Sequence, residues 1–213
     1  MTYLKLNREY WEGEQGGGDS MLTDRFRRAL MYALEAHVGQ TRKGKNAPYA
    51  GHLLGVTALV LENGGDEDQA LAALLHDAAE DAGGRARLDD IRESFGPRVA
   101  GIVEACTDAW QTPKPPWHER KRAYLDELRE IDADALFVSL ADKLYNTRTI
   151  LLDQQAVGEH VWDRFSAPPE DVIRYYRELA KVYRERIPGP MADELHRTVQ
   201  RIRKRRKRAA EKK

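Results

Sequence analysis

Apolar side chains recur at three- and four-residue spacing along most of the chain, and the alternation typical of strands hardly appears. The run nearest the N-terminus begins after Thr23 or Asp24, which are both good helix caps. Its apolar face is formed by Phe26, Leu30, Ala33, Leu34 and His37. Similar runs follow to the C-terminus without an internal repeat. The pattern predicts an all-α protein, an irregular bundle of about eight to ten helices.

Glycine and proline residues divide these runs into elements. We expect the second helix to begin near Pro48 and to stop at the first Gly-Gly pair. The third helix opens at Asp66 or Asp68 and continues, as one helix, to the next Gly-Gly pair. A further helix is expected over residues 97–110. The three prolines of QTPKPP (111–116) then predict a loop, because a helix cannot continue through them.

Charge is divided unevenly along the chain, although 35 basic and 35 acidic side chains balance. Residues 201–213 hold nine basic residues and one acid, so residues 1–200 carry 26 basic and 34 acidic ones. We therefore expect a flexible leader over 1–20, a folded domain over 21–190, and a C-terminal helix with a basic tail over 191–213. Runs of like charge such as 201–213 usually lie on solvated helix ends or in disordered tails. The charge is compatible with nucleic acid, but no aromatic residue interleaves it to support base stacking.

Cysteine content and hydropathy both favour the cytoplasm as the compartment of this protein. Cys106 is the only cysteine, so no intrachain disulfide can form, which suits a reducing environment. Residues 1–20 lack the apolar centre of a secretion signal, and no apolar run approaches the roughly 18 residues of a membrane helix. We expect a cytoplasmic protein without a membrane span. The sequence leaves the oligomeric state open.

The segment LLHDAAED (74–81) combines an apolar helical pattern with titratable groups. On a helix, residues three and four apart share a face, so Glu80 and Asp81 should lie one turn beyond His76 and Asp77. A histidine and an acid side by side are more often a satisfied core pair than a functional site. On its own, this segment therefore predicts little.

Two further segments change that interpretation. His52 lies in the apolar run PYAGHLLGV, and Asp142 lies inside the apolar helix FVSLADKLYNTR. A buried charge is costly unless it is paired or bound to a metal. Together with the pair at 76–77, these residues make a set of two histidines and two aspartates. Such a set suits Mn²⁺, Fe²⁺ or Zn²⁺ better than a site built from oxygen atoms alone.

The order H…HD…D resembles the HD superfamily of metal-dependent phosphohydrolases. Three segments resemble the signatures of its RelA/SpoT-type hydrolase domain, namely AHVGQTRKGKNAPYAGH (36–52), ALLHDAAED (73–81) and LADKLYNTR (140–148). The resemblance covers about three quarters of the chain, and three motifs in this order are far more specific than a single His-Asp pair. It implies a single Mn²⁺ ion held by His52, His76, Asp77 and Asp142.

The same resemblance implies the remaining roles in the site. Glu80 and Asp81 would position and deprotonate the attacking water. Substrate contacts would come from Arg42, Lys43 and Asn146, with Tyr49 and Thr149 in the pocket wall. The implied reaction is hydrolysis of the 3′-diphosphate of ppGpp, pppGpp or ppApp with release of pyrophosphate. The resemblance is to a stand-alone small alarmone hydrolase, and it suggests a role as an antitoxin that clears the product of a toxic synthetase.

Two features of the chain depart from patterns within the family. Family members often carry histidine where this chain has Tyr145, which affects pocket shape more than metal binding. The Arg42-Lys43 loop is one residue longer than in the long bifunctional enzymes and resembles the short, hydrolase-only members.

Two alternative functions stay open. Another HD-type nucleotide phosphohydrolase, such as an NADPH phosphatase or a deoxynucleotidase, is the alternative within the enzyme class. A module that binds nucleotides or a partner without turnover is the alternative outside it.

Overall fold

The computed structural model describes residues 22–111 and 113–211, and these residues form a helical bundle. Nine of its α-helices have at least nine residues, and a single-turn helix and a 3₁₀ helix complete it. The elements are α1 Asp24–Ala36, α2 Ala50–Glu62, α3 Glu67–Leu75, α4 Ala78–Asp81, α5 Gly84–Phe95, α6 Pro97–Cys106, α7 Trp117–Glu127, α8 Ala133–Val157, the 3₁₀ helix Gly158–Arg164, α9 Pro169–Arg186 and α10 Pro190–Ala210. Across the described ranges there is no strand, and the all-α prediction is confirmed.

Helix starts follow the side chains that can cap them. The Thr23 hydroxyl accepts a hydrogen bond from the backbone N–H of Arg25, as expected for the first helix. Asp66 and Gln69 form a reciprocal capping box at the start of α3. Asp132 accepts from the N–H of Ala135 at the start of α8, 2.8 Å away. The leader expected over residues 1–20 lies outside the described residues.

The centre of the bundle is α3, which packs against α1, α2, α6 and α8. Every residue from Ala70 to Leu75 is fully buried, which explains why this stretch is apolar on all sides rather than on one face. The first half of α10 joins the same core through Leu195 and Val199. A smaller apolar cluster lies beneath the 3₁₀ helix, where Trp162 packs near Ile202. None of the helices in the described part of the chain combines the length and hydropathy needed to cross a bilayer.

Two helices end earlier than the sequence predicts. The expected single helix over the third apolar run is broken at His76 and Asp77, which form a turn between α3 and α4. The helix expected to reach residue 110 stops at Cys106. There the backbone N–H of Asp108 donates to the Glu80 carboxylate at 2.7 Å instead of to a helical carbonyl. A side chain from a neighbouring element therefore ends this helix, and no local pattern reports that.

Candidate active site

Four side chains predicted as metal ligands converge from three elements. His52 comes from the first turn of α2, Asp142 from the middle of α8, and His76 and Asp77 from the turn between α3 and α4. The break after Leu75 matters for this arrangement, because it lets two consecutive residues direct their side chains to one point. Both histidines and Asp142 are buried, and Asp77 is partly exposed.

Each aspartate has a carboxylate oxygen close to the Nε2 atoms of both histidines. The two histidine Nε2 atoms are 3.2 Å apart. Asp77 Oδ2 lies 3.0 Å from Nε2 of His76 and 3.4 Å from Nε2 of His52. Asp142 Oδ1 lies 3.3 Å and 3.7 Å from Nε2 of His52 and His76, respectively. Donor atoms of His52, His76 and Asp142 therefore all lie within 4.8 Å of one another, and the Asp77 carboxylate lies against both histidines.

This geometry fits a divalent metal ion. Donor atoms that share one ion at about 2.1 Å lie roughly 3–3.4 Å apart, close to the distances observed here. His76 Nδ1 is 2.8 Å from the carbonyl of Ala73, so Nδ1 carries the proton and Nε2 presents a lone pair. Two imidazole lone pairs facing each other at 3.2 Å repel unless a cation or a proton lies between them. The N₂O₂ set suits a borderline divalent ion.

Neighbouring side chains orient both aspartates. The Tyr49 hydroxyl donates to Asp77 Oδ2 at 2.5 Å. On the other side, Asn146 Nδ2 donates to Asp142 Oδ1 at 2.5 Å, while Lys143 Nζ donates to Asp142 Oδ2 at 2.6 Å. Tyr49 and Asn146 thus donate to the same oxygens that face the histidines, and Lys143 engages the other oxygen of Asp142. Such supporting bonds fix ligand geometry in metal sites.

Burial and charge oppose each other in this cluster. Burial raises the pKa of the Asp77 carboxyl, but His76 and His52 outweigh burial and hold that pKa well below its ordinary value. Burial lowers the pKa of His76, yet Asp77 and Asp142 raise it to about 9. For His52, burial prevails and the pKa is lowered. The carboxylates therefore stay ionised, and a proton competes with a metal for the imidazole nitrogens.

Glu80 and Asp81, predicted to activate water, occupy different environments. Asp81 lines the cavity described below, and its Oδ2 accepts from Gln40 Nε2 at 2.9 Å. Both oxygens of Glu80 are engaged, one by the N–H of Asp108 and the other by Lys114 Nζ at 2.6 Å. Lys114 belongs to the proline loop that follows α6. The structure thus places Asp81 at the cavity and connects Glu80 to this loop.

A cavity of about 530 Å³ lies beside the four convergent side chains. All five side chains predicted to contact substrate line it, namely Arg42, Lys43, Tyr49, Asn146 and Thr149. Two of them interact directly, because Arg42 Nη2 donates to Asn146 Oδ1 at 2.6 Å. The loop that carries Arg42 is closed at its base by the bridge between Thr41 and Pro48. At its tip, Gly44 has φ +76° and its backbone approaches the side chain of Arg164, a position that favours glycine.

The sequence did not single out most of the cationic wall of this cavity. The additional cations are Lys45, Arg120, Lys121, Lys143 and Arg164. They reach the cavity from the Arg-Lys loop, α7, α8 and the 3₁₀ helix, elements that are far apart in the chain. Aromatic rings of Trp117, Tyr145, Phe165, Tyr175 and Tyr176 complete the wall. Arg120 and Lys121 sit in an ordinary charged helical pattern, so no local signal marked them.

Tyr145 makes a close contact that shapes one side of the site. Its hydroxyl donates to the carbonyl of Gly51 at 3.1 Å, and its ring lies 5.3 Å from the ring of His52. A Cβ atom at Gly55 would lie only 2.0 Å from the Tyr145 ring. Glycine at position 55 is therefore what allows α2 and α8 to approach here, next to a metal-facing histidine.

Comparison with known proteins places the chain among related sequences. A family profile described as HD domain matches residues 29–183. The MESH1 protein of Xenopus tropicalis, named a guanosine-3′,5′-bis(diphosphate) 3′-pyrophosphohydrolase, is 40% identical over 125 residues, which cover 57% of this chain and 67% of that protein. The bifunctional (p)ppGpp synthase/hydrolase SpoT of Escherichia coli K12 is 33% identical over 132 residues, which cover 59% of this chain and 18% of SpoT.

Solved structures give the same result for the fold. One, described as a metazoan orthologue of SpoT that hydrolyses ppGpp, matches with a TM-score of 0.67 and 26% identity, covering 86% of this chain and 96% of that one. Another, from Listeria monocytogenes EGD-e, matches with a TM-score of 0.64 and 29% identity over 72% of this chain and 99% of that one. The resemblance drawn from the three sequence motifs is therefore confirmed.

Proposed function

The chain belongs to the HD domain family, and from that premise we propose that it hydrolyses the 3′-diphosphate of a guanosine alarmone such as ppGpp and releases pyrophosphate. One observation carries the proposal. Four metal-type ligands converge beside a cavity whose walls are cationic and aromatic. A nucleotide with two diphosphate groups offers matching negative charge and a base that can stack.

We infer that His52, His76, Asp77 and Asp142 hold one Mn²⁺ ion. A bound divalent ion lowers the pKa of a coordinated water and polarises a phosphoryl oxygen. Mn²⁺ fits the mixed nitrogen and oxygen ligands. Fe²⁺ and Zn²⁺ prefer similar ligands, so a binding assay should compare them with Mn²⁺.

The protein's own residues then have distinct tasks. Arg42 and Lys43 neutralise the 3′-diphosphate, and Asn146 holds Arg42 and Asp142 in register through its two hydrogen bonds. Asp81, at the cavity, accepts a proton from the attacking water, and Glu80 supports it from the adjacent position. Water adds to the phosphorus next to the ribose 3′ oxygen, the bond between them breaks, and that oxygen takes up a proton. Tyr49 and Thr149 form part of the pocket wall.

We also propose the extent of the hydrolase domain as residues 21–190, with residues 191–213 as an addition to it. The match of the family profile to 29–183 lies inside this range. The choice between guanine and adenine alarmones, and a role as antitoxin to a toxic synthetase, are finer proposals. Relative rates on ppGpp, pppGpp and ppApp test the first, and rescue of cells that express such a synthetase tests the second.

The direct test is product analysis by ion-exchange chromatography after incubation with Mn²⁺. We expect ppGpp to yield GDP and pyrophosphate. Release of a single phosphate from NADPH, or turnover of dATP alone, would contradict the alarmone proposal while preserving the enzyme class. Metal binding without any turnover would contradict the enzyme and favour a binding module. Parallel reactions with all these substrates distinguish the outcomes.

Two variants separate metal binding from water activation. Asp77→Ala should abolish both Mn²⁺ binding and turnover. Glu80→Ala should retain Mn²⁺ and lower kcat, because Asp81 would accept the proton without the neighbouring carboxylate that supports it. Glu93→Ala on the outer face of α5 is the matched control and should behave as wild type. A Glu80→Ala enzyme at the wild-type rate would remove Glu80 from the mechanism.

A further inference from the structure

The last helix, α10, has one face against the body and a second face that is almost entirely cationic. Its buried residues are Met191, Ala192, Leu195, Thr198, Val199 and Ile202. Beyond Ile202 the helix continues to Ala210, about two more turns, without another buried side chain. The basic run at the C-terminus is therefore held in regular helical geometry over its described length.

Seven cations lie on the exposed part of this helix between residues 197 and 208. They are Arg197, Arg201, Arg203, Lys204, Arg205, Lys207 and Arg208. Arg206 differs from them, since it is partly buried and pairs with Glu159 and Glu170. Lys207 lies 3.7 Å from Glu211. Among the described residues, no acidic oxygen lies within ion-pairing distance of the other six exposed cations, so most of this charge faces solvent.

The spacing of these charges matches a nucleic-acid duplex. Residues 197–208 span about 16 Å at a rise of 1.5 Å per residue, so seven cations correspond to roughly one per 2.4 Å. A duplex carries one phosphate charge per about 1.7 Å of its axis. Residues 1–200 hold 26 basic and 34 acidic side chains, so the rest of the chain repels a polyanion. The cavity wall is also cationic, but its charges line a concave site, whereas those of α10 form an exposed helix face that a duplex can reach.

Two other anionic partners fit this surface less well. A helix that lies on a membrane needs exposed apolar or aromatic residues, but Ile202, the one large apolar residue between 200 and 210, is buried in the body. Single-stranded nucleic acid is bound by aromatic stacking, and residues 197–210 contain no aromatic residue. We propose that the exposed face of α10 binds the phosphate backbone of a double-stranded nucleic acid.

The test measures binding of the full-length protein to fluorescein-labelled duplexes by anisotropy. The probes are a 20-base-pair RNA duplex, a DNA duplex of the same sequence, one of the single strands, and vesicles with 30% phosphatidylserine. Each titration is repeated from about 50 to 200 mM KCl. The variant carries R201Q, R203Q, K204Q and R208Q. A control with R27Q, R28Q, R122Q and R129Q changes net charge equally but lies on α1 and in or just after α7.

We expect the α10 variant to lose at least tenfold in duplex affinity at about 100 mM KCl. The magnitude of the negative slope of log K against log[KCl] should fall by about 3.6, because each of the four lost phosphate contacts contributes about 0.9. The control should stay within about twofold of wild type, and circular dichroism should show that both variants keep their helices. Unchanged affinity and slope in the α10 variant would overturn the proposal. So would absence of duplex binding at 50 mM KCl, or α10-dependent binding that prefers vesicles or single strands.

Discussion

At the scale of single residues, the site depends on which oxygen of Asp142 faces the histidines. Asp142 uses Oδ2 for Lys143 and presents Oδ1 to the histidines and Asn146. Lys143 is partly buried, with its ammonium 4.8 Å from the centre of the Tyr124 ring. Burial lowers its pKa, but Asp142 outweighs burial and keeps that pKa above its ordinary value. A fixed ammonium thus selects the rotamer of a candidate ligand.

Lys143→Met tests this positioning role. The methionine keeps much of the side-chain volume but removes the donor, so Asp142 can rotate and its approach to the metal is no longer fixed. We expect Mn²⁺ affinity to fall about 10–100-fold, the usual cost of losing a supporting bond to a ligand. Electron paramagnetic resonance of unbound Mn²⁺ measures the affinity directly.

Lys181→Met is the matched control, because Lys181 is exposed on α9 and its nearest acid, Glu185, is 4.0 Å away. Thermal unfolding of both variants without metal checks that the fold persists. Equal Mn²⁺ affinity in the Lys143→Met and wild-type proteins would show that Lys143 does not position Asp142.

At the scale of elements, two local features bring the site together. The turn at His76 and Asp77 interrupts a helix that the apolar pattern alone would continue. The close approach of α2 and α8 brings His52 near Asp142, and it requires a residue without a side chain at Gly55. Both features are departures from regular helix packing, and both lie beside the candidate ligands.

Gly55→Ala tests the close approach. Because the new Cβ would lie 2.0 Å from the Tyr145 ring, the ring or the helix must move. We expect a loss of about 1–3 kcal/mol in the free energy of unfolding, typical of overpacking, and weaker Mn²⁺ binding through the displaced His52. Urea denaturation measures the first quantity.

Gly51→Ala provides a control in the same helix, since a Cβ there meets nothing within 4 Å. An alanine in a helix is favoured over glycine, so this variant should be as stable as wild type or up to about 1 kcal/mol more stable. If Gly55→Ala and Gly51→Ala behaved alike, the packing of Tyr145 on α2 would not be tight in solution.

At the scale of the whole molecule, charge is organised into three regions. The ligand cluster is acidic, the cavity wall is cationic, and the exposed face of α10 is cationic again. Asp108 balances part of the cavity wall, because its carboxylate pairs with Arg120 and Lys121 of α7. Burial raises the pKa of Asp108, but Lys121 and Arg120 lower it more, and the net pKa lies below the ordinary value.

This pKa shift predicts how stability depends on pH. A carboxyl whose folded pKa is lowered stabilises the protein above its unfolded pKa, near 3.9, and this contribution is lost as pH falls through the folded value. Asp108→Asn should therefore lower the free energy of unfolding by about 2–4 kcal/mol at pH 7, as for a broken buried pair. The gap to wild type should shrink below about pH 4.

Urea denaturation between pH 7 and pH 3, with EDTA present, measures this gap. Asp126→Asn is the control, because Asp126 pairs with Arg129 at an exposed position and should cost less than about 1 kcal/mol. A gap for Asp108→Asn that stayed constant down to pH 3 would contradict the predicted linkage.

The sequence by itself determined the helical class, most helix starts and the four residues of the candidate ligand set. Helix caps and periodicity depend on residues only three or four positions apart, and the order of the motifs is a property of the sequence. Both can therefore be recognised without knowledge of the fold. Tertiary structure decided the break at His76, the early end of α6 at Cys106, and the environment of Glu80. Each depends on a bond or contact between residues distant in the chain.

The cationic wall is the clearest case of a feature that only the fold reveals. Arg120, Lys121 and Arg164 come from two separate helices, and nothing in their local sequence distinguishes them from ordinary surface charges. The basic run at the C-terminus shows the reverse. Its charge was plain in the sequence, but only the fold showed which face of α10 is held against the body. Local forces set the elements and their chemistry, while packing between distant elements decided which side chains meet.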